Sequence, residues 1–241
     1  MDREPLPANP RISAVIPLFN GAVYLPEALD SIRHQTKRLD EVIVVNDGST
    51  DAGPAIAAAH PWVHLVTKEH SGFVPTLNRG IEEATGDILT FLDHDDRWIL
   101  DKTERQLAFL HQHPEVDVVF GRARQFRMTE QRCGREFEVP FEVTEGLCKV
   151  AGMFRRRAFE LAGGFGSLGG HDFMDWYTRA REVGLQLESL PEVVFERRQH
   201  FTNTGRIGRE EQRRTYMASL KAKLDRQRAA AAPNPPLPNP A

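Results

Sequence analysis

The sequence predicts an α/β protein whose sheet is mostly parallel and carries helices on both faces. Runs of β-branched and other apolar residues recur through the first hundred residues, at 12–17, 41–46, 62–66 and 87–92. The segments between them carry apolar residues at helical spacing, and we predict helices at 22–34, 51–60 and 73–84. Apolar strands that alternate with helices are typical of βαβ units, in which a parallel sheet is buried on both faces.

The second half of the chain has a less regular pattern. The expected helices are 99–111, 154–161 and 172–183, and the expected strands are 116–120 and 185–195. The polar stretch at 121–141 favours neither state. The irregular part of the protein is therefore expected to follow the βαβ units.

Composition divides the chain into four parts. Residues 1–10 are predicted to be an N-terminal extension and residues 11–205 a single domain. A basic helix with one apolar stripe is expected at 206–230, and the Pro-rich residues 231–241 form a tail that we predict to be disordered.

Bulk properties exclude several classes of protein. A net charge of -3 over 241 residues argues against a general nucleic-acid binder. Cys133 and Cys148 lack the spacing of a metal site, which favours a reducing compartment and no disulfide framework. No stretch reaches the 18 apolar residues of a bilayer span, and residues 1–10 lack the apolar core of a signal peptide. We therefore expect a cytoplasmic protein whose membrane contact is at most peripheral.

Polar side chains follow two of the predicted strands. Asn46 and Asp47 come at the end of the second strand, and three carboxylates, Asp93, Asp95 and Asp96, follow the fourth. Ligands of open α/β sheets bind at the carboxyl ends of the strands. A cluster of like charges is also retained only where water, hydrogen bonds or a cation offsets the repulsion. Binding is one interpretation, and an Asp-rich turn that caps the next helix is the other.

An ordered series of motifs resembles the family 2 glycosyltransferases of the GT-A fold. The series includes VIPLFN at 15–20, EVIVVNDGSTD at 41–51, LNRGI at 77–81 and FLDHDD at 91–96. Order and spacing hold over residues 12–96, and weaker matches continue to about 206. The resemblance implies one GT-A domain that moves a sugar from a nucleotide-diphosphate donor, with a UDP-sugar expected, to an acceptor hydroxyl by inversion.

The resemblance assigns a set of residues to the donor. Asp47 occupies the position that accepts a hydrogen bond from the base, and the usual preceding Asp is replaced by Asn46. A turn residue is the alternative for Asp47. The remaining donor-site positions are Pro17, Asn20, Glu27, Asn78 and Asp93.

A metal site is implied by Asp93-His94-Asp95, which matches the D-x-D motif that holds Mg²⁺ or Mn²⁺ against the diphosphate. On an extended segment, alternation would put the two carboxylates on the same side, about 7 Å apart. By resemblance, His200 is expected to join the metal.

The resemblance implies that the general base is an acidic residue shortly after a Gly-Gly-Phe segment, which is here Gly163 to Phe165. Asp172 is assigned as the base, and Asp175, one helical turn later, is the alternative because His171 stands at the first acidic position. The same pair would also suit a helix cap.

Two rival functions remain open. A catalytically silent sugar-nucleotide binding module is suggested by Asn46 and His171. A sugar nucleotidyltransferase is disfavoured because residues 18–21 lack a basic Gly-rich loop.

Overall fold

The computed structural model describes residues 5–127, 143–166 and 172–199, together with Lys221. Its strands are β1 (Ile12–Leu18), β2 (Glu41–Asp47), β3 (Val63–Lys68), β4 (Ile88–Phe91), β5 (Arg97–Trp98), β6 (Val118–Arg127), β7 (Val143–Glu145), β8 (Met153–Arg155) and β9 (Leu187–Gln199). Its helices are α1 (Leu25–Arg33), α2 (Gly53–Ala58), α3 (Phe73–Glu83), α4 (Lys102–Gln112), α5 (Arg156–Ala162) and α6 (Asp172–Glu182), with a 3₁₀ helix at Lys149–Ala151.

The strands form one sheet in the order β3-β2-β1-β4-β8-β6-β9-β5, with β7 paired to β6. The first four strands pair in parallel, as the alternating sequence pattern predicted. β8 then runs antiparallel to both β4 and β6, whereas β6 and β9 pair in parallel. The α/β class is confirmed, and each antiparallel pair includes a strand from the second half of the chain.

Both faces of the sheet are covered by helices. Side chains alternate across a strand, so Val15 of β1 packs on one face with Leu77 of α3 and Trp176 of α6. Its neighbour Ile16 packs on the other face with Leu29 of α1. The parallel part of the sheet is therefore buried on both faces.

Two predictions for the second half need correction. β6 continues to Arg127, through residues whose polar pattern favoured no state, because β9 supplies a backbone partner along that length. The helix expected from residue 154 begins at Arg156, and Phe154 lies fully buried in β8 instead. A short apolar run is compatible with either element, and its neighbours in the fold decide.

Apart from Lys221, the predicted basic helix at 206–230 and the predicted disordered tail at 231–241 lie outside the described residues. Within the described part of the chain, no helix has the length and apolar character that crossing a bilayer requires.

Candidate active site

The loop after β1 connects the ends of the neighbouring strands. Asn20 adopts a left-handed conformation with a φ of 49°. Its Oδ1 accepts a hydrogen bond from the Thr50 amide at 2.9 Å, beyond the end of β2. On the other side, Nδ1 of His94 lies 3.2 Å from the Pro17 carbonyl oxygen. A methyl group on Gly21 would lie 2.3 Å from Cδ2 of His94, so glycine permits this close approach.

Asp47 is 2% exposed at the end of β2 and binds the loop before α3. Its Oδ1 accepts hydrogen bonds from the Ser71 amide at 2.9 Å and from the Lys68 ammonium, while Oδ2 accepts one from the Gly72 amide at 2.9 Å. Nδ1 of His70 lies 2.9 Å from Oδ2. A carboxylate offers about four acceptor positions, so this loop engages nearly all of them.

The same contacts set the charge of Asp47. Burial acts to raise the pKa of Asp47, but the hydrogen bonds from Lys68, Ser71 and Gly72 outweigh it and hold the pKa below its ordinary value. Asp47 is therefore an anion in the folded protein. The Oδ1 of Asn46 accepts the Ser49 amide at 2.9 Å, so this residue supports the turn after β2.

The carboxylates after β4 lie on a turn. The Asp96 amide donates a hydrogen bond to the Asp93 carbonyl oxygen at 3.0 Å, which closes a four-residue turn. The expectation of an extended segment was wrong, because this turn, rather than side-chain alternation, brings the acidic groups together. One carboxylate oxygen each from Asp93, Asp95 and Asp96 lies within 4.8 Å of the others. We call residues 93–96 the acidic turn.

Asp93 has one paired and one unpaired oxygen. Its Oδ2 lies 3.1 Å from the Lys149 ammonium, and its buried Oδ1 accepts no hydrogen bond from any residue that the structure describes. A buried carboxylate oxygen without a partner is costly, and a divalent cation would satisfy it. The all-oxygen donor set also matches the preference of Mg²⁺ and Mn²⁺, so the residues present fit such an ion.

Arg198 of β9 forms hydrogen bonds that hold the acidic turn in place. Its side chain is 1% exposed, its amide donates to Oδ1 of Asp96 at 2.9 Å, and its Nε donates to the Asp95 carbonyl oxygen at 2.8 Å. Its Nη2 donates to Oε2 of Glu27 at 2.7 Å, which places Glu27 beside the acidic turn. Burial, Asp95 and Asp93 together raise the pKa of Asp96 well above its ordinary value.

The segment that follows α5 is tied to both α3 and α6. Both polar atoms of the Asn78 amide bond to the backbone of Phe165, at 2.8 and 2.9 Å. Asp175 is 4% exposed, and its Oδ2 accepts a hydrogen bond from Nε of Arg179 at 3.0 Å. Arg179 also donates to the Gly164 carbonyl oxygen at 2.6 Å, so Asp175 helps to fix this segment.

Asp172 is the first residue of α6, and its side chain lies outside the described part of the structure, as does His200. The structure therefore brings Pro17, Asn20, Asp47 and Asp93 to the strand ends. Lys149 and Lys68 also line the region but were not identified from the sequence. Each is a single basic residue whose partner is distant along the chain, so no local motif marks it.

Lys102, the first residue of α4, is fully buried. Its ammonium donates to Oγ1 of Thr90 at 2.9 Å and to Oε1 of Gln106 at 2.7 Å, and it lies 3.3 Å from the Gly152 carbonyl oxygen. These groups carry no formal charge, so burial lowers the pKa of Lys102 to about 7, from an ordinary value of 10.5.

We expect this lysine to make stability depend on pH. Between pH 7 and 10.5 the unfolded chain binds a proton that folded Lys102 does not, so stability rises with pH in that window and is insensitive to this group below it. Relative to Lys102→Met, the free energy of unfolding of the native sequence should rise by about 1 kcal/mol per pH unit. Urea denaturation of both proteins at pH 7, 8 and 9 measures it. A pH-independent difference would contradict the lowered pKa of Lys102.

Comparison with solved structures defines the class of the fold. The mannosyltransferase PcManGT from Pyrobaculum calidifontis, solved with GDP-Man and Mn²⁺, is 22% identical with a TM-score of 0.64, and the match covers 98% of this chain and 68% of that one. S. aureus TarS 1-349 with UDP-GlcNAc is 20% identical with a TM-score of 0.64, covering 79% of this chain and 59% of that one. The fold is that of the GT-A glycosyltransferases.

Sequence comparison then gives the family. The model described as glycosyl transferase family 2 matches residues 13–164, more than half of the chain. The protein belongs to glycosyl transferase family 2. The match confirms the resemblance stated from the ordered motifs.

Curated relatives match parts of the chain. A PGL/p-HBAD biosynthesis glycosyltransferase of Mycobacterium bovis is 34% identical over 163 residues, which are 65% of this chain and 63% of that protein. An uncharacterized glycosyltransferase of Rickettsia typhi is 38% identical over 112 residues, which are 46% of this chain and 35% of that protein. The match thus spans about a third of the Rickettsia protein's length.

Proposed function

We propose that this glycosyltransferase moves a hexose-like sugar from a nucleoside diphosphate donor to an acceptor hydroxyl, with inversion at the sugar carbon. A UDP-sugar is the first candidate donor and a GDP-sugar the second, since similar folds have been solved with UDP-GlcNAc and with GDP-Man. The observation that carries the proposal is the buried, unpaired Oδ1 of Asp93 within the acidic turn.

We assign an Mg²⁺ or Mn²⁺ ion to Asp93 and Asp95. Their carboxylates lie on one turn at the carboxyl end of β4, and His200 stays a proposed third ligand. When bound, such an ion neutralises the charge that develops on the departing diphosphate. Arg198 and Glu27 keep the acidic turn in place, so we propose that Glu27 acts on the donor through this pairing rather than by direct contact.

We place the nucleobase at the carboxyl end of β2. Phe19 is 44% exposed there, and its ring stacks on His70 with a centroid distance of 4.4 Å. Because Asp47 already accepts bonds from the loop before α3, a base N–H reaches it only by displacing His70 or Lys68. Asn20 and Pro17 would hold the rim of the same pocket, and Asn78 would act through its bonds to Phe165.

For the acceptor, we propose Asp172 as the general base. Asp175, the alternative, is buried and engaged by Arg179, which favours a positioning role for it. In the reaction, the acceptor oxygen bonds to the anomeric carbon and its proton passes to Asp172. The bond from that carbon to the diphosphate breaks, and its electron pair stays on the diphosphate oxygen.

A calorimetric titration tests the donor site. We expect UDP or GDP to bind in the presence of Mn²⁺ or Mg²⁺ and to lose nearly all affinity in excess chelator, because the acidic turn otherwise repels the diphosphate. UMP and GMP serve as matched controls, and their binding should depend less on the cation. Undiminished diphosphate binding in chelator would remove the metal from the proposal.

The second candidate, a silent binding module, is favoured by the replacement of the usual Asp by Asn46, which supports a turn. Binding without sugar transfer or donor hydrolysis in the same preparation would select it.

A further inference from the structure

Lys149 is a basic side chain directed at the acidic turn from a different part of the fold. It begins the 3₁₀ helix at Lys149–Ala151, and its ammonium lies 3.1 Å from Oδ2 of Asp93. The side chain is 11% exposed, and the ammonium also lies 4.5 Å from the ring centroid of Phe73, at the start of α3. Its stem is therefore packed while its charge faces the proposed donor site.

The backbone of the segment that carries Lys149 is anchored by burial and by hydrogen bonds. Val150 and Ala151 are buried, and the Ala151 carbonyl oxygen accepts a hydrogen bond from Nε2 of Gln106 at 2.8 Å. The Gly152 amide bonds to the Lys149 carbonyl oxygen at 3.1 Å, which closes the turn. With its backbone anchored in this way, Lys149 can exchange partners through its flexible side chain alone.

Charge makes such an exchange favourable. In the described structure the ammonium pairs with the carboxylate that we assign to the cation. A divalent cation on Asp93 would repel the ammonium, and the diphosphate that the cation holds would offer it oxygens of opposite charge. A buried ammonium is costly without an anionic partner, so the Lys149 ammonium should leave Asp93 and pair with the diphosphate.

We propose that Lys149 is a leaving-group residue: its ammonium pairs with Asp93 in the unloaded protein and with the donor diphosphate once a cation occupies Asp93. The inference rests on the proposed function and names a residue for it. Lys149 donates hydrogen bonds to the diphosphate as the sugar–oxygen bond breaks and the electron pair moves onto that oxygen. It transfers no proton, and Asp172 receives the proton of the acceptor.

Lys149→Met tests the proposal, because methionine keeps the packed apolar stem and removes the charge. The probes are Mn²⁺ alone, followed by paramagnetic resonance, and UDP, GDP or pyrophosphate with Mn²⁺, followed by calorimetry. We expect diphosphate affinity to fall by about 10- to 100-fold, as the loss of a charge-assisted hydrogen bond implies. The affinity for Mn²⁺ alone should not fall, because the ammonium no longer competes for Asp93.

Lys149→Arg is the matched control and should retain most of the diphosphate affinity, since it keeps the positive charge. Thermal melting of both variants shows whether the fold survives, and the arginine variant keeps the test valid if methionine destabilises the chain. Native protein that binds diphosphate, beside a Lys149→Met variant that binds it equally well, would overturn this inference alone. Native protein that binds none of the three diphosphates would overturn it together with the proposed function.

Discussion

Replacing Asp172 with asparagine is expected to reduce sugar transfer by at least about 10² while the protein stays folded and binds its donor. The amide cannot accept the acceptor's proton at neutral pH. Asparagine serves about as well as aspartate at the start of a helix, so α6 should form as before. Initial rates with donor and acceptor in excess measure the loss, and calorimetry with UDP or GDP checks that donor affinity is retained.

Asp175→Asn is the matched control, one helical turn further along α6. Asp175 is buried and accepts a hydrogen bond from Arg179, which also holds the Gly164 carbonyl oxygen. We expect this variant to melt at a lower temperature, because the ion pair is lost, and to retain most transfer below its melting point. An inactive Asp175 variant beside an active Asp172 variant would reassign the base.

Replacing Asp93 with asparagine should have the second large effect, on donor binding itself. The change removes the negative charge of the carboxylate whose Oδ1 is unpaired, and it leaves the Lys149 ammonium beside a neutral amide. Loss of residues that merely orient metal ligands costs 10- to 100-fold, so loss of a direct ligand should cost at least about 100-fold in Mn²⁺ and diphosphate affinity. Resonance of bound Mn²⁺ and calorimetry with UDP or GDP measure both.

Asp96→Asn separates charge from position within the acidic turn. Asp96 Oδ1 accepts the Arg198 amide, and an asparagine oxygen can accept the same hydrogen bond. With the cation on Asp93 and Asp95, this variant should bind Mn²⁺ nearly as well as the native protein. A loss as large as that of Asp93→Asn would add Asp96 to the ligand set.

The first four strands could be predicted from the sequence because each βαβ unit is encoded locally. Apolar runs alternate with helical spacing over residues 12–92, so each strand is marked by its own sequence, although β1 pairs with the distant β4, as Ile12 does with Ile88. β6 was harder, because its polar residues beyond Phe120 favoured no state and are held in a strand by their pairing with β9. A polar strand of this kind becomes recognisable only when its partner is known.

The candidate site also contains some features that could be predicted from the sequence and others that could not. The D-x-D motif could be read from the sequence because its residues are adjacent, but the turn that gathers its carboxylates depends on tertiary contacts. The partner of Lys149 lies 56 residues away, and that of Arg198 is Glu27, 171 residues away. Pairings over such distances leave no local pattern that would identify the partner.

The three bonds of Arg198 bear on how this chain can be shortened or recombined. The acidic turn belongs by sequence to the first hundred residues, yet its backbone and Asp96 are held by a side chain and an amide near the end of β9. The FLDHDD segment would therefore not keep its conformation if it were transferred to another protein. Any shortened version of the protein must therefore retain β9 through Arg198. Without Arg198, the buried Asp96 carboxyl group and the Asp95 carbonyl oxygen lose these hydrogen bonds.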